Sequence, residues 1–480
     1  MKRWTLLLLC LLFLGVIPTA LAFEGPMYEI FPGSFADSDG DGLGDLFGVA
    51  QKADYIASLN VGAVWLTPFY PSPSYHGYDV TDYCAVNEAM GGFEGFDAMV
   101  QALHERDIAV IADLVLNHSS CEHPWFKAAC AAIAAGEESP YIDYYTFSRE
   151  PGADMHAVPG AEGWYYLGEF GSHMPDLNLD NESLRAQIVE IAAFWMNRGV
   201  DGFRLDAIIH YYGGDTARNT AFLAWLMGEL RAINPDVYVV GEAWTDDSTI
   251  ARLYESGISS LFHFSLADST GAIANAVRDQ NGSRLARTIA ATDVPGKDTP
   301  FLTNHDMGRS AGVLMNNTGK MTAAAAAYLL APGNPMIYYG EEIGMNGSGR
   351  DENKRLPMLW GEEAYTCLPP ADADQAQRLK VGAAQQEEDP ASLLNIYRSI
   401  TSIRRAHPEI DSEPAQALDF GVKALYAVRY GNTTVLINMG KAAVELPCAQ
   451  GAVLESVGEA AQDGDVLTLG AWSVAVVTGM

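Results

Sequence analysis

The sequence predicts an α/β fold, a (β/α)8 TIM barrel with a subdomain inserted after its third strand and a small all-β domain at its C-terminal end. Three observations lead there. Apolar, strand-like runs recur eight times with helical segments between them, the pattern of βα units. The interval between Asn117 and about Pro175 is too long for a simple βα loop and carries aromatic, Gly- and Pro-containing stretches. After about Asp411 the pattern changes to short alternating strands.

The eight runs are Tyr28–Phe31, Ala63–Thr67, Ile108–Leu116, Gly199–Asp206, Val237–Trp244, Ser259–Phe264, Pro300–Asp306 and Pro335–Gly340. An intervening helix shows its buried face at Ile188, Ile191, Ala192 and Trp195, spaced i, i+3, i+4, i+7. The five alanines from Ala323 to Ala327 suit a helix packed tightly against the last strand. The insertion reads as a subdomain leaning over the barrel mouth, with Tyr141 to Tyr145 and Gly163 to Tyr166 as its aromatic stretches. Near the end, Ala424–Tyr430 and Thr433–Asn438 flank Gly431-Asn432, a two-residue hairpin signal. The expected division is 23–117 and 176–411 for the barrel, 118–175 for the insertion and 412–480 for a β-sandwich.

Residues 1–22 read as a secretory signal: basic Lys2-Arg3, an apolar stretch from Leu6 to Val16 and the small-residue site Ala20-Leu21-Ala22. The rival, an uncleaved anchor, has a short apolar stretch for a full span. Cleavage after Ala22 removes two positive charges and takes the net charge from −32 to −34. Such a surplus argues against nucleic acid and anionic membranes as partners and fits a soluble, exported monomer acting on a neutral substrate. Of the five cysteines left after Cys10 departs, Cys121 and Cys130 are near enough in sequence for a loop bridge, with free thiols equally open.

Three of the runs end in an acid: Asp206, Glu242 and Asp306. An acid closing an apolar run is costly if it stays buried and unpaired. At the mouth of a parallel barrel the same arrangement gathers acids from separate strands into one site. Two carboxylates across a sugar bond are the machinery of glycoside hydrolysis.

Further stretches stand in order along the chain. They are Asp113 to His118 after the third run, Met174 to Asn178, Gly202 to His210, Gly241 to Trp244, Phe301 to Asp306, and Gly333 to Glu342. In these the chain resembles the α-amylase family of glycoside hydrolases, over nearly all of the sequence beyond residue 22. The resemblance implies Asp206 as nucleophile, Glu242 as general acid/base and Asp306 as the acid that grips sugar hydroxyls. Arg204, two residues before Asp206 on the same strand, points to the same side and can pair with it. Glu242 must hold a proton until the leaving oxygen needs it, which requires a raised pKa. By the same resemblance His118 and His305 hydrogen-bond the sugar being attacked, Tyr78 stacks on it and His76 reaches it. Asp79 and Arg355 are expected to form a supporting ion pair.

For metals, Asp37-Ser-Asp-Gly-Asp-Gly-Leu-Gly-Asp45 alternates acids and glycines as hard-cation oxygen cages do. The family's oligosaccharide-acting branch implies Ca2+ there, held by Asp37, Asp39, Asp41 and Asp45 with the Leu43 carbonyl. A second calcium between barrel and insertion, as in many α-amylases, would take Asn117, Asp176 and the His210 carbonyl. Asn117 also heads a glycosylation sequon with Ser119, but its place at a strand end favours a structural role.

Specificity is mixed. Ala207 follows the nucleophile, as in family members cutting α-1,4 bonds. Ile209 stands where polymer-acting amylases often have Lys, which weakens contact beyond the cleavage point. Arg355 to Trp360 and Asp389 to Arg398 look like the oligosaccharide-acting branch. The expected activity is hydrolysis of starch or maltooligosaccharides. The alternatives are an exo-acting oligo-α-glucosidase or glucanotransferase, or an inactive relative serving as an interaction subunit, which would have lost the acids present here.

Overall fold

The computed structural model describes residues 23–292, 297–361, 364–448 and 453–479. The signal-like segment with its cleavage site and Cys10 lies outside the described residues. In chain order the strands are β1 (Met27–Ile30), β2 (Ala63–Leu66), β3 (Ala109–Leu114), β4 (Phe147–Ser148), β5 (Met155–Ala157), β6 (Tyr165–Leu167), β7 (Gly202–Leu205), β8 (Tyr238–Gly241), β9 (Ser260–Phe262), β10 (Asp298–Thr299) and β11 (Met336–Tyr338). The C-terminal strands are β12 (Ala415–Ala417), β13 (Leu425–Tyr430), β14 (Thr433–Asn438), β15 (Val444–Pro447), β16 (Val453–Val457), β17 (Ala460–Asp463), β18 (Val466–Leu469) and β19 (Val474–Thr478).

Eight strands form one parallel sheet in the order β10-β9-β8-β7-β3-β2-β1-β11. A parallel bridge between Phe301 and Met336 joins its two ends and closes the barrel. Alternation along each strand separates two cores. Met27, Ala63, Trp65, Ile111, Tyr238, Val240, Phe262, Phe301 and Met336 fill the barrel interior. The neighbours Tyr28, Val64, Val110, Phe203 and Val239 belong to the larger core that includes the surrounding helices. The seventh strand differs from expectation: only Asp298–Thr299 pairs as strand, and residues from Thr303 onward leave the sheet. Pro300 has no N–H to give, but its carbonyl accepts from the Met336 N–H at 3.0 Å, and pairing continues only as far as the Phe301 bridge.

The helix expected around Trp195 runs Glu182–Met196, with Asn181 capping it through a hydrogen bond from the Leu184 N–H at 2.9 Å. The five alanines lie in Thr318–Leu329, all buried. Between β3 and β7 the chain builds helix Pro124–Ala135 and the antiparallel sheet β4-β6-β5. The bridge between Cys121 and Cys130 is not formed; both are free thiols. Burial pushes the Cys130 thiol up to about 11, leaving little of the thiolate that disulfide exchange requires.

At the C-terminal end, β12-β13-β14-β19-β16 and β15-β18-β17 form two antiparallel sheets. Leu425, Ala427, Leu436 and Val477 from one meet Leu446, Leu467 and Leu469 from the other, so the two pack as a sandwich. Tyr430 pairs with Thr433 across Gly431-Asn432, and Gly431 has a φ of +55° that suits glycine. No helix among the described residues is long and apolar enough to cross a membrane.

Trp195 ties helix Glu182–Met196 to the second βα unit. Its indole N–H donates to the Tyr83 carbonyl at 2.8 Å, and its ring lies 5.0 Å from Phe96 and 5.2 Å from Phe69. Truncating a fully buried Trp loses about 3–5 kcal/mol. Trp195→Ala is therefore expected to lower the thermal midpoint of the barrel by several degrees in calorimetry.

Candidate active site

The site begins with an inward-facing polar layer that the strand register sets. Asp113 on β3 stands opposite Arg204 on β7, and Glu29 on β1 stands opposite Trp65 on β2. Arg204 is 1% exposed. Its Nη1 lies 3.1 Å from each Asp113 oxygen and 2.5 Å from Asp206 Oδ1. Its Nη2 lies 2.9 Å from Glu242 Oε2. The guanidinium also sits over the Trp65 ring, 4.9 Å from its centroid.

Asp206 and Glu242 are the first residues beyond β7 and β8. Ala207 then turns with a φ of +48°, a left-handed conformation rare for a residue with a side chain. That turn aims the Ala207 N–H at Glu242 Oε2, 3.0 Å away. The opposite wall comes from the loop after β10. Asp306 accepts from Arg355 Nη2 at 2.8 Å and lies 3.2 Å from His305 Nε2. Between the walls, the Tyr78 hydroxyl donates to Asp113 Oδ2 at 3.0 Å, and its ring stacks on His305 at 5.5 Å.

The acids are electrostatically unlike. Burial pushes Glu242 above the usual carboxylate range; Arg204 opposes this, while Asp206 and Asp306 add to it. Burial acts the same way on Asp306, but His305, Arg355 and Arg204 outweigh it and hold that carboxyl low. Burial raises Asp113 to about 7 against the pull of Arg204. It lowers His118 to about 4, leaving a neutral ring whose buried Nε2 has no hydrogen-bond partner among the described residues.

These groups line a cleft of about 360 Å³ that brings together His76, Tyr78, His118, Asp206, Glu242 and Asp306. Arg204 and His305 lie directly behind it through the contacts above. Sequence reasoning missed several neighbours. Phe170, Met174 and Trp244 line the cleft, and Asp113 and Glu29 sit beneath it. Asp113 and Glu29 carried a usable signal, an acid at an inward position inside an apolar run.

The expected Asp79–Arg355 pair is absent. Asp79 accepts from the Ser72 and Ser74 hydroxyls at 2.6 and 2.8 Å, so its own loop satisfies it. Arg355 turns instead to Asp306 and to the Tyr75 hydroxyl, 2.9 Å from Nη1.

Carboxylate oxygens of Asp37, Asp39 and Asp45 come within 4.8 Å of one another. Asp41 lies outside that group and accepts from the Leu43 N–H at 2.7 Å. At the position considered for a second ion, Asp176 accepts from the Glu169 N–H at 3.2 Å. The His210 ring contacts the Glu169 carboxylate at 2.7 Å, which joins barrel and insertion. The Asn117 side chain contacts the neighbouring His118 ring at 3.5 Å, and its backbone carbonyl accepts from the Leu177 N–H at 2.9 Å.

Comparison with known proteins agrees with this geometry. The profile for the alpha amylase catalytic domain matches residues 29–413. Alpha-amylase 3 of Dictyoglomus thermophilum is 40% identical over 391 residues, covering 78% of this chain and 76% of that protein. An oligo-1,6-glucosidase of Bacillus sp. (strain F5) is 33% identical, covering 81% of this chain and 93% of that protein. Among solved structures, Eubacterium rectale Amy13B superposes with a TM-score of 0.89 at 36% identity, over 96% of each chain. A match of this extent, over a barrel with three acids at its mouth, shows that the chain belongs to the α-amylase family and is a glycoside hydrolase.

Proposed function

We propose that this enzyme, an exported monomer, hydrolyses α-1,4-glucosidic bonds of starch or maltooligosaccharides with retention at the anomeric carbon. The observation that carries the reading is the Arg204 guanidinium in contact with both Asp206 and Glu242. One small cation touching both carboxylates keeps them close, as retention requires; retaining pairs lie about 5–5.5 Å apart and inverting pairs about 6.5–9.5 Å. Glu242, raised by burial, gives its proton to the glycosidic oxygen as Asp206 attacks the anomeric carbon. The C–O bond breaks, the shortened glucan leaves as an alcohol, and an ester remains on Asp206. Glu242, now a carboxylate, takes a proton from water, which attacks the same carbon and frees Asp206. Asp306, anchored by Arg355, is placed to hold hydroxyls of the distorting ring. Tyr78 offers an apolar face to a pyranose.

The linkage rests on the resemblance of Ala207 to family members cutting α-1,4 bonds, and the net charge of −32 suits a neutral glucan. A second reading, exo-action on short oligosaccharides, is favoured by the segment Arg355 to Trp360 and by the oligo-1,6-glucosidase relative. Digestion of maltoheptaose separates the two: mixed maltooligosaccharides released first as α-anomers support endo-cleavage, and glucose as the sole early product overturns it.

The Asp37 to Asp45 loop fits Ca2+ because its three grouped donors are hard carboxylate oxygens. Asp37, Asp39 and Asp45 would hold the ion, with Asp41 and the Leu43 carbonyl completing the set proposed from the sequence. The ion would serve as a structural clamp away from the acids.

Four outcomes are expected. Glu242→Gln lowers kcat by about 10²–10⁴-fold, the worth of a general acid. In the wild type, raising pH strips the Glu242 proton, so activity falls on an alkaline limb set above the usual carboxylate range; pH–rate profiles check both. Arg204→Lys cannot span three carboxylates with one ammonium and lowers kcat roughly 10²-fold in steady-state assays. Calcium at a hundredfold excess over its Kd stabilises the chelated protein by about 2.7 kcal/mol in thermal melts, and Asp39→Asn abolishes that response.

A further inference from the structure

We propose that Glu29 is a positioning residue that holds the His305 ring as an imidazolium, so that both ring nitrogens donate and the ring fixes Asp306 in its working orientation. The proposal rests on the reading of Asp306 as the sugar-gripping acid. Glu29 faces inward from β1 and is 0% exposed. Its Oε1 lies 2.5 Å from His305 Nδ1 and 3.3 Å from the His305 backbone N–H. Its other oxygen, Oε2, is buried with no hydrogen-bond partner. Among the described residues, the hydrogen bonds of this carboxylate therefore all go to one histidine.

The opposite edge of the ring closes the argument. His305 Nε2 lies 2.8 Å from the Tyr78 hydroxyl oxygen and 3.2 Å from Asp306 Oδ2. On this side the Asp306 carboxylate can only accept, and the Tyr78 hydroxyl accepts as well when its own proton goes to Asp113 Oδ2, 3.0 Å away. Acceptors stand at both nitrogens, and a neutral imidazole has one N–H to offer them. Two N–H groups satisfy every partner.

The charges around the ring come from each packed element: Glu29 on β1, Tyr78 after β2, Asp113 on β3, Asp306 beside it and Arg355 beyond. Burial and Arg355 act against a cation here, but Asp306 and Glu29 outweigh them, and His305 sits above the usual histidine range. A Gln at position 29 keeps the shape of the side chain and removes its charge.

The test follows the His305 ring nitrogens by NMR in ¹⁵N-histidine-labelled enzyme through a pH titration without substrate, with His305→Gln identifying the resonance. The wild-type ring is expected to show imidazolium shifts at the pH of maximal activity. Glu29→Gln is expected to give a neutral ring, an alkaline limb moved toward acid, and kcat lowered roughly 10²-fold with KM little changed. Glu29→Asp, which restores the charge, recovers the imidazolium. A neutral wild-type ring at the activity optimum overturns the proposal, as does an imidazolium persisting in folded Glu29→Gln. If Glu29→Gln fails to fold, the wild-type titration decides alone. Because the shifts are read without substrate, an error in the proposed substrate leaves this result standing.

Discussion

A single buried cation organises this molecule. Arg204 faces carboxylates from the ends of three neighbouring strands, β3, β7 and β8. Taking such a charge from water costs several kcal/mol, and only close contacts on most of its donors offset that. The guanidinium supplies them because it is planar and forked. A one-residue slip of β7 would turn Arg204 out toward the helices and strand three acids in the interior. The register that pairs Asp113 with Arg204 and Arg204 with Val240 is therefore a chemical requirement as well as a packing one.

The same cation divides the cleft into unequal halves. On the Glu242 side it competes with burial and loses, leaving a group suited to carrying a proton. On the Asp306 side a second guanidinium and a histidine join it, and burial loses. Acid and anion thus face one cleft at one pH, separated by how many positive neighbours each has.

Much of this was legible in the sequence, because strand ends and inward positions follow from a period of two and a closed parallel sheet. Asp206, Glu242 and Asp306 stood out as acids ending apolar runs, and all three line one cleft. The seventh strand was less readable: its run of Phe, Leu and Thr has strand character, yet pairing stops after the single Phe301–Met336 bridge and the stretch that carries Asp306 is loop. The partner of Arg355 was misjudged because Asp79 is satisfied by Ser72 and Ser74, a choice between hydrogen bonds that no spacing encodes. Phe170 and Trp244 were missed because an exposed aromatic on a loop has no periodicity to betray it.

The left-handed turn at Ala207 gives one residue two jobs. Its side chain borders the cleft, and its peptide N–H reaches the Glu242 carboxyl. A β-branched residue sits poorly at positive φ and would press the backbone toward another path. Moving that N–H away from Glu242 removes a donor to its charged form and raises its proton affinity further. Reshaping the cleft at position 207 would therefore also retune the proton affinity of Glu242, so the cleft wall and that acidity cannot be adjusted independently there.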